Sequence, residues 1–257
     1  MSKIEYGLQL YSVRDISEKD LRLALKEVAS LGYKYVEFAG FFGNPADTVK
    51  SWLNEYGLTV SGTHTGMDCI ADDKIEETIS YHLAIGCKNL IIPWADWSTE
   101  EKLNDNIDLL NRAQKRLANE GIRLGYHNHS EEFFKTGYGK VVEDELISRT
   151  DVDLEIDTFW AFNAGKDPVE LLDSIKDRVH IIHLKDGIPT DATNRNIGHA
   201  FDGVTGLSLG SGKAPVKAVR EWAIKNGVLM VVESEELNPT GIEEVKRCID
   251  FLRSLDK

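Results

Sequence analysis

Two kinds of patterning alternate along the chain. Segments 19–31, 45–56, 99–119 and 241–254 carry apolar residues at helical spacing, and between such segments lie apolar runs too short for helices. At five places a glycine joins the two: LASLGYKYVEF around Gly32, WLNEYGLTVSGTH around Gly57, LAIGCKNLIIP around Gly86, LANEGIRLGYH around Gly121 and WAIKNGVLMVVES around Gly227. Glycine just past a helix accepts the left-handed conformation that closes it, so a strand can begin at once. The short runs fall near 4–10, 34–38, 58–64, 88–93, 122–128, 152–157, 178–184 and 228–233. Short apolar strands alternating with helices predict a parallel sheet built from βα units. Eight units in 257 residues match a (β/α)8 TIM barrel, which typically needs roughly 250. A doubly wound open sheet would carry a Gly-rich phosphate turn after an early strand, and GLQLYSVRD is not one. No Pro/Gly-rich linker or low-complexity segment divides the chain, so a single domain over 1–257 is expected.

In such a barrel the active site lies at the carboxyl ends of the strands. There the apolar runs give way to Gln9, Glu37, His64, Trp94, His127, Asp157, His183 and Glu233. Alternation along each strand assigns faces. His127 and His129 share the inward face with Asn128 opposed, and Glu155 shares a face with Asp157. His183 is grouped with Lys185, while His180 falls on the helix side; Glu233 is grouped with Glu235. One strand-end histidine alone is most often a hydrogen-bonded structural residue. Four ligand types at one level of strands five to eight, His127, Asp157, His183 and Glu233, predict a site for one divalent metal. Two imidazoles with two carboxylates suit Mn²⁺ or Co²⁺, then Zn²⁺ or Fe²⁺, better than Ca²⁺ or a hydrated Mg²⁺.

Composition narrows the partners. A net charge of −13 and a pI near 5.0 argue against a nucleic-acid or anionic-membrane surface. The start, MSKIEYGLQL, has no signal-peptide core, and no stretch reaches the roughly 18 apolar residues of a membrane span. Cys69, Cys87 and Cys248 lack metal-type spacing and suit a reducing cytoplasm. Homo-oligomerisation is left open. The LGSGKAPV stretch places Gly210, Gly212 and Lys213 before a helix start, where an anion could be held; a simple turn with Pro215 in the first helical turn accounts for it equally well.

The chain resembles the xylose-isomerase-like barrel superfamily of sugar isomerases, epimerases and inosose dehydratases. The resemblance spans nearly the whole length. It rests on GLQLYSVRD, GYHNH, LEIDTFWAFNAGKDP, HIIHLKDG, LGSGKAPV and VVESEE. Ketose 3-epimerases of that superfamily bind one divalent metal through Glu, Asp, His and Glu on strands five to eight. By position the last three correspond to Asp157, His183 and Glu233, whereas the first falls on His127. Trp160 stands where those epimerases carry a substrate-binding histidine. The His-x-His form at strand five looks more like the inosose dehydratases. The superfamily's apurinic endonucleases need a zinc ligand where this chain has Trp160.

The resemblance implies a small sugar or cyclitol substrate and proton abstraction next to a metal-polarised carbonyl. Glu233 is expected as the base, with Lys185 and His129 as further catalytic groups. His64, Gln9, Glu37, Trp94 and Trp160 are expected to contact substrate, Trp94, Trp97 and Trp160 as apolar walls. An isomerase or epimerase, an inosose-dehydratase-like lyase and a non-catalytic sugar-binding barrel are the readings the residues allow; a base held at the metal favours an enzyme. The acidic balance predicts that an abasic DNA duplex stays intact when incubated with the protein at physiological salt, as read on a denaturing gel.

Overall fold

The structure is a computed structural model, and it describes residues 4–256; residues 1–3 and 257, within the expected domain limits, lie outside the described residues. Eight parallel strands form a closed barrel: β1 (Gly7–Gln9), β2 (Tyr35–Phe38), β3 (Thr59–His64), β4 (Asn89–Ile92), β5 (Arg123–His127), β6 (Asp153–Asp157), β7 (Ile181–Leu184) and, after two short strands, β10 (Leu229–Val232). Each strand pairs with its neighbour in sequence order, and β10 closes the ring between β7 and β1.

The helices between strands follow from local sequence. Asp20 and Thr99 cap Leu21–Leu31 and Glu100–Ala118 by accepting from the backbone N–H three residues on. At the other end Gly32 and Gly57, at φ of 87° and 67°, close their helices in the left-handed conformation. Gly121 sits slightly farther out, two residues past the Asn119 cap of its helix. The four expected helices agree with Leu21–Leu31, Ala46–Tyr56, Glu100–Ala118 and Gly241–Ser254. Their apolar faces pack on the outward residues of the strands, such as Leu8, Val36, Leu154, Ile182 and Val232.

Inside the barrel the lower half is apolar and small. Ile91, Ile181 and Val231 meet across it. Gly62 makes room for them: a Cβ there would stand 2.7 Å from Ile91 Cδ1 and 2.9 Å from Glu37 Oε2. Above this plug the interior is polar.

Three differences from the expected elements have local causes. β1 is only three residues long, because the Gln9 side chain accepts from Tyr11 N and caps a 3-10 turn, Leu10–Val13. β7 starts at Ile181 rather than 178, after a turn at Lys176–Arg178; the Arg178 guanidinium donates to the carbonyls of Val152 and Ile147. His180 therefore precedes the strand. It is exposed, 3.6 Å from Asp153, instead of lying under the helices as alternation suggested. The largest departure follows β7, where β8 (Asp186–Ile188) and β9 (Thr205–Leu207) pair antiparallel in a two-stranded sheet before the helix Val216–Asn226. Asn163 ties this excursion to the segment after β6, accepting from Thr190 N and donating to the carbonyl of Ala200.

Filling the barrel plug is expected to strain it. Gly62→Val should lower stability by about 1–3 kcal/mol, and Gly137→Ala, where an added Cβ meets nothing, should change it by less than about 0.5 kcal/mol. Urea unfolding followed by fluorescence measures both.

Candidate active site

A cavity of about 680 Å³ opens at the carboxyl ends of the strands. Its floor is made by His64, His127 and Glu233, with Lys185 beside them. His129 and Trp160 form one wall, and Phe201 and Gly206 reach in from the excursion. Strand register sets the heights. His127 pairs with Glu155 and Asp157 with His183, so Glu155 lies one inward step below Asp157. Glu233 follows β10 directly, its N–H donating to the Leu184 carbonyl at 3.0 Å, which brings it beside Lys185. Asp157 also caps the helix Thr158–Asn163, accepting from Trp160 N at 2.9 Å with Oδ1. Its Oδ2 is buried and without a hydrogen-bond partner among the described residues.

Two overlapping groups have ligand atoms within 4.8 Å of one another: His127, Asp157, His183 and Glu233, and, beneath them, His64, His127, Glu155 and His183. The lower group is closed on itself. Glu155 Oε2 lies 2.9 Å from His64 Nε2, 3.2 Å from His127 Nδ1 and 3.3 Å from His183 Nε2. Glu37 Oε1 lies 2.8 Å from His183 Nε2 and also accepts from Gln9 Nε2 at 2.8 Å. The upper group fits a cation. His183 turns Nδ1 to Glu233 at 3.1 Å while Glu37 holds its other nitrogen. His127 gives Nδ1 to Glu155, and no hydrogen bond among the described residues engages its Nε2. A carboxylate behind each imidazole fixes the ring's orientation, the usual support of a metal-binding histidine. With Asp157 Oδ2, which accepts no hydrogen bond among the described residues and lies 3.9 Å from Lys185 Nζ, the upper group could hold a divalent ion.

Burial and neighbouring charge set the protonation of this cluster. The rings of His64, His127 and His183 lie 4.6–5.4 Å apart, too close for all three to carry charge. Burial and the neighbouring imidazoles of His183, His64 and His129 hold His127 well below the usual histidine range. Burial opposes charge on His183 too, but Glu155, Glu37 and Glu233 outweigh it and raise the ring well above that range. Burial raises Glu155 to about 7, with the Glu37 charge adding to it, and raises Asp157 to about 7 against the pull of Lys185. For Glu233, Lys185 and His183 overcome burial and keep the carboxylate ionised. Lys185 is buried, paired with Glu235, 3.5 Å from Glu233, and 4.6 Å above the Trp160 ring. Burial and the Lys185 charge push His129 down to about 4, so its imidazole is neutral at pH 7.

The structure thus brings together His64, His127, His129, Asp157, Trp160, His183, Lys185 and Glu233. Gln9 and Glu37, expected at the substrate, are instead fully buried beneath the cluster, where Gln9 donates to Glu37 and Glu37 meets His183. Trp94 is 55% exposed and turns its Nε1 to Glu131, bordering a separate cleft. Trp97 is buried and donates to Tyr126 OH, so it packs and does not wall the cavity. Sequence reasoning left out Glu155, although alternation had put it on the inward face. It also missed Tyr11, which lines the cavity from the 3-10 turn after β1, and Phe201 and Glu236, which line it from loops without periodic pattern.

Comparison with known proteins follows the same lines. Residues 25–255 match the family model described as xylose isomerase-like TIM barrel. Over 194 residues the chain is 30% identical to an inosose dehydratase of Geobacillus kaustophilus, a match covering 63% of this chain and 60% of that protein. It is 26% identical over 202 residues to a 2-oxo-tetronate isomerase of Haemophilus influenzae, covering 68% and 78%. The crystal structure of a sugar phosphate isomerase/epimerase from Parabacteroides distasonis superposes with a TM-score of 0.78 at 26% identity, covering 97% of this chain and 98% of that one.

Asp157→Asn and His183→Ala are each expected to weaken Mn²⁺ binding by at least about tenfold, the range seen when metal sites lose a partner. His180→Ala should leave it unchanged. Titration of the metal-stripped protein by calorimetry gives the comparison; equal losses in all three would place the ion elsewhere.

Proposed function

The chain belongs to the xylose isomerase-like TIM-barrel family, and we propose that within it the protein is a metal-dependent enzyme that removes a proton next to the carbonyl of a keto-sugar or cyclitol. The observation that carries this reading is the upper cluster: Asp157 with one free oxygen, two carboxylate-backed histidines, and an ionised Glu233 facing the cavity. His127, Asp157, His183 and Glu233 would hold the ion, Mn²⁺ or Co²⁺ by the mixed nitrogen and oxygen donor set. A bound ion supplies charge stabilisation to an oxygen next to the reacting carbon, worth several kcal/mol.

The remaining work falls to the chain's own groups. Glu233 is the base: it is ionised, lines the cavity and is held in place by His183 and Lys185. Burial opposes charge on Lys185, but Glu233, Asp157 and Glu235 outweigh it, so Lys185 is protonated at rest. It gives that proton to the departing hydroxyl, which leaves as water, while Glu233 takes the proton from carbon. His129 and His64 bind hydroxyls, and the Trp160 face packs against C–H groups.

Elimination is favoured over symmetrical epimerisation by one feature. The carboxylates lining the cavity, Glu233, Glu235 and Glu236, all come from the segment after β10, whereas the wall from β3 and β5 offers His64, His127 and His129. Epimerisation by two opposed carboxylates needs one on each face of the carbon. Elimination needs one base and a donor for the departing hydroxyl. The dehydratase likeness agrees with this direction. The free cysteines, two of them buried, suit a reducing compartment such as the cytoplasm.

The test incubates the metal-loaded enzyme with ketohexoses, inososes and 3-keto-sugars in D₂O and follows exchange and products by NMR. Exchange next to the carbonyl with an elimination product is expected, and Glu233→Gln should lower kcat by about 10²–10⁴. Rapid reversible epimerisation of a ketohexose without any elimination would overturn the proposal.

A further inference from the structure

The LGSGKAPV loop converges its backbone N–H groups on a single point. Gly210 N and Gly212 N donate to Asp186 Oδ2 at 2.9 Å each, while Ala214 N and Gly187 N donate to Oδ1 at 3.0 and 2.8 Å. Three N–H groups from the loop ahead of the helix, joined by Gly187 N from β8, make an anion cradle. In (β/α)8 barrels the loops after strands seven and eight are where phosphate groups are frequently held. Here the anion is built into the chain. Asp186 is buried and both its oxygens are saturated. The fit is close, since any Cβ at position 212 would overlap the Asp186 carboxylate and the Gly187 backbone.

The cavity wall points the same way by an independent observation. Glu233, Glu235 and Glu236 line it, and Lys185 is the only lysine or arginine among the described lining residues. Lys185 is already shared between Glu235, Glu233 and, at 3.9 Å, Asp157. Arg14, behind Tyr11, spends its guanidinium on the carbonyls of Tyr11 and Glu235. Away from the metal cluster, on the side of Glu235 and Glu236, a phosphate dianion would face carboxylates with no lysine or arginine free to pair it, and like charges so placed reject a partner. Sugar hydroxyls would find acceptors in those carboxylates and flat apolar surfaces in Tyr11, Trp160 and Phe201.

We propose that the cavity selects an uncharged polyhydroxy ketone and excludes phosphate esters, with Asp186 filling the phosphate cradle and Glu235 and Glu236 repelling a second anion. The reaction class rests on the reading above; the selectivity is a property of binding and is tested separately. Calorimetry on the metal-loaded full chain compares uncharged ketohexoses and inososes with their phosphate esters, and thermal melts are run with inorganic phosphate. The expected result is ester binding at least about tenfold weaker than that of the uncharged partner, with the gap narrowed in a Glu235→Gln/Glu236→Gln variant and no rise in wild-type melting temperature with phosphate. Asp186→Ala should melt lower and be raised selectively by phosphate, which refills the cradle. Equal or tighter ester binding, or a phosphate-stabilised wild type, would overturn the proposal even if Asp186→Ala fails to fold. Selective binding without proton exchange from any ketone would instead defeat the reaction class and leave the selectivity standing.

Discussion

Glu37, Glu155, Asp157 and Glu233 are buried in the upper barrel, and their charge has to be met by groups within reach of their own oxygens. An isolated carboxylate in such surroundings is expensive, and a pair with one member removed is scarcely better. The barrel meets the requirement by linking strands on opposite sides of the ring. Glu37 on β2 reaches across to His183 on β7, which in turn reaches Glu233 after β10. Glu155 on β6 gathers His64 from β3 and His127 from β5. None of these partners is close in sequence, so the network exists only when the ring is closed. The glycine plug below completes the arrangement, because Gly62 leaves the space that Glu37 and Ile91 occupy.

This dependence on closure explains what was legible in the chain and what was not. Helix caps and closing glycines act within a few residues, so Asp20, Thr99, Gly32 and Gly57 mark their helices before any tertiary structure is known. Alternation likewise places His127, Asp157 and His183 inward. It cannot say which inward residue reaches the cavity and which stays beneath it. Gln9 and Glu37 end their strands as His64 does, yet the barrel buries them under His183 while His64 borders the opening. Glu155 was visible as an inward residue, and only the register across β5 and β6 reveals it as the support of His127. The excursion carrying Phe201 has neither helical nor alternating pattern. Its position comes from Asn163, a side chain on another element.

The cavity is divided by function as well as by origin. Acidic groups after β10 face imidazoles from β3 and β5, so the two sides offer a substrate different chemistry: carboxylates on one, hydrogen-bonding imidazole rings on the other. Lys185 joins them from β7, held over Trp160, and gives the acidic side its one positive charge. Such asymmetry suits a reaction in which one face of a carbon loses a proton and the leaving group departs elsewhere.

The imidazole cluster has a consequence for the loading of the proposed site. Burial resists charge on His64, yet Glu37 and Glu155 push it up to about 9, so without an ion that ring holds a proton among the carboxylates. With a divalent cation in the proposed site, protons and metal would be interchangeable counter-charges for one set of buried acids. Loading of the proposed site would therefore release acid, and how readily it occurred would be governed by pH as much as by the supply of metal.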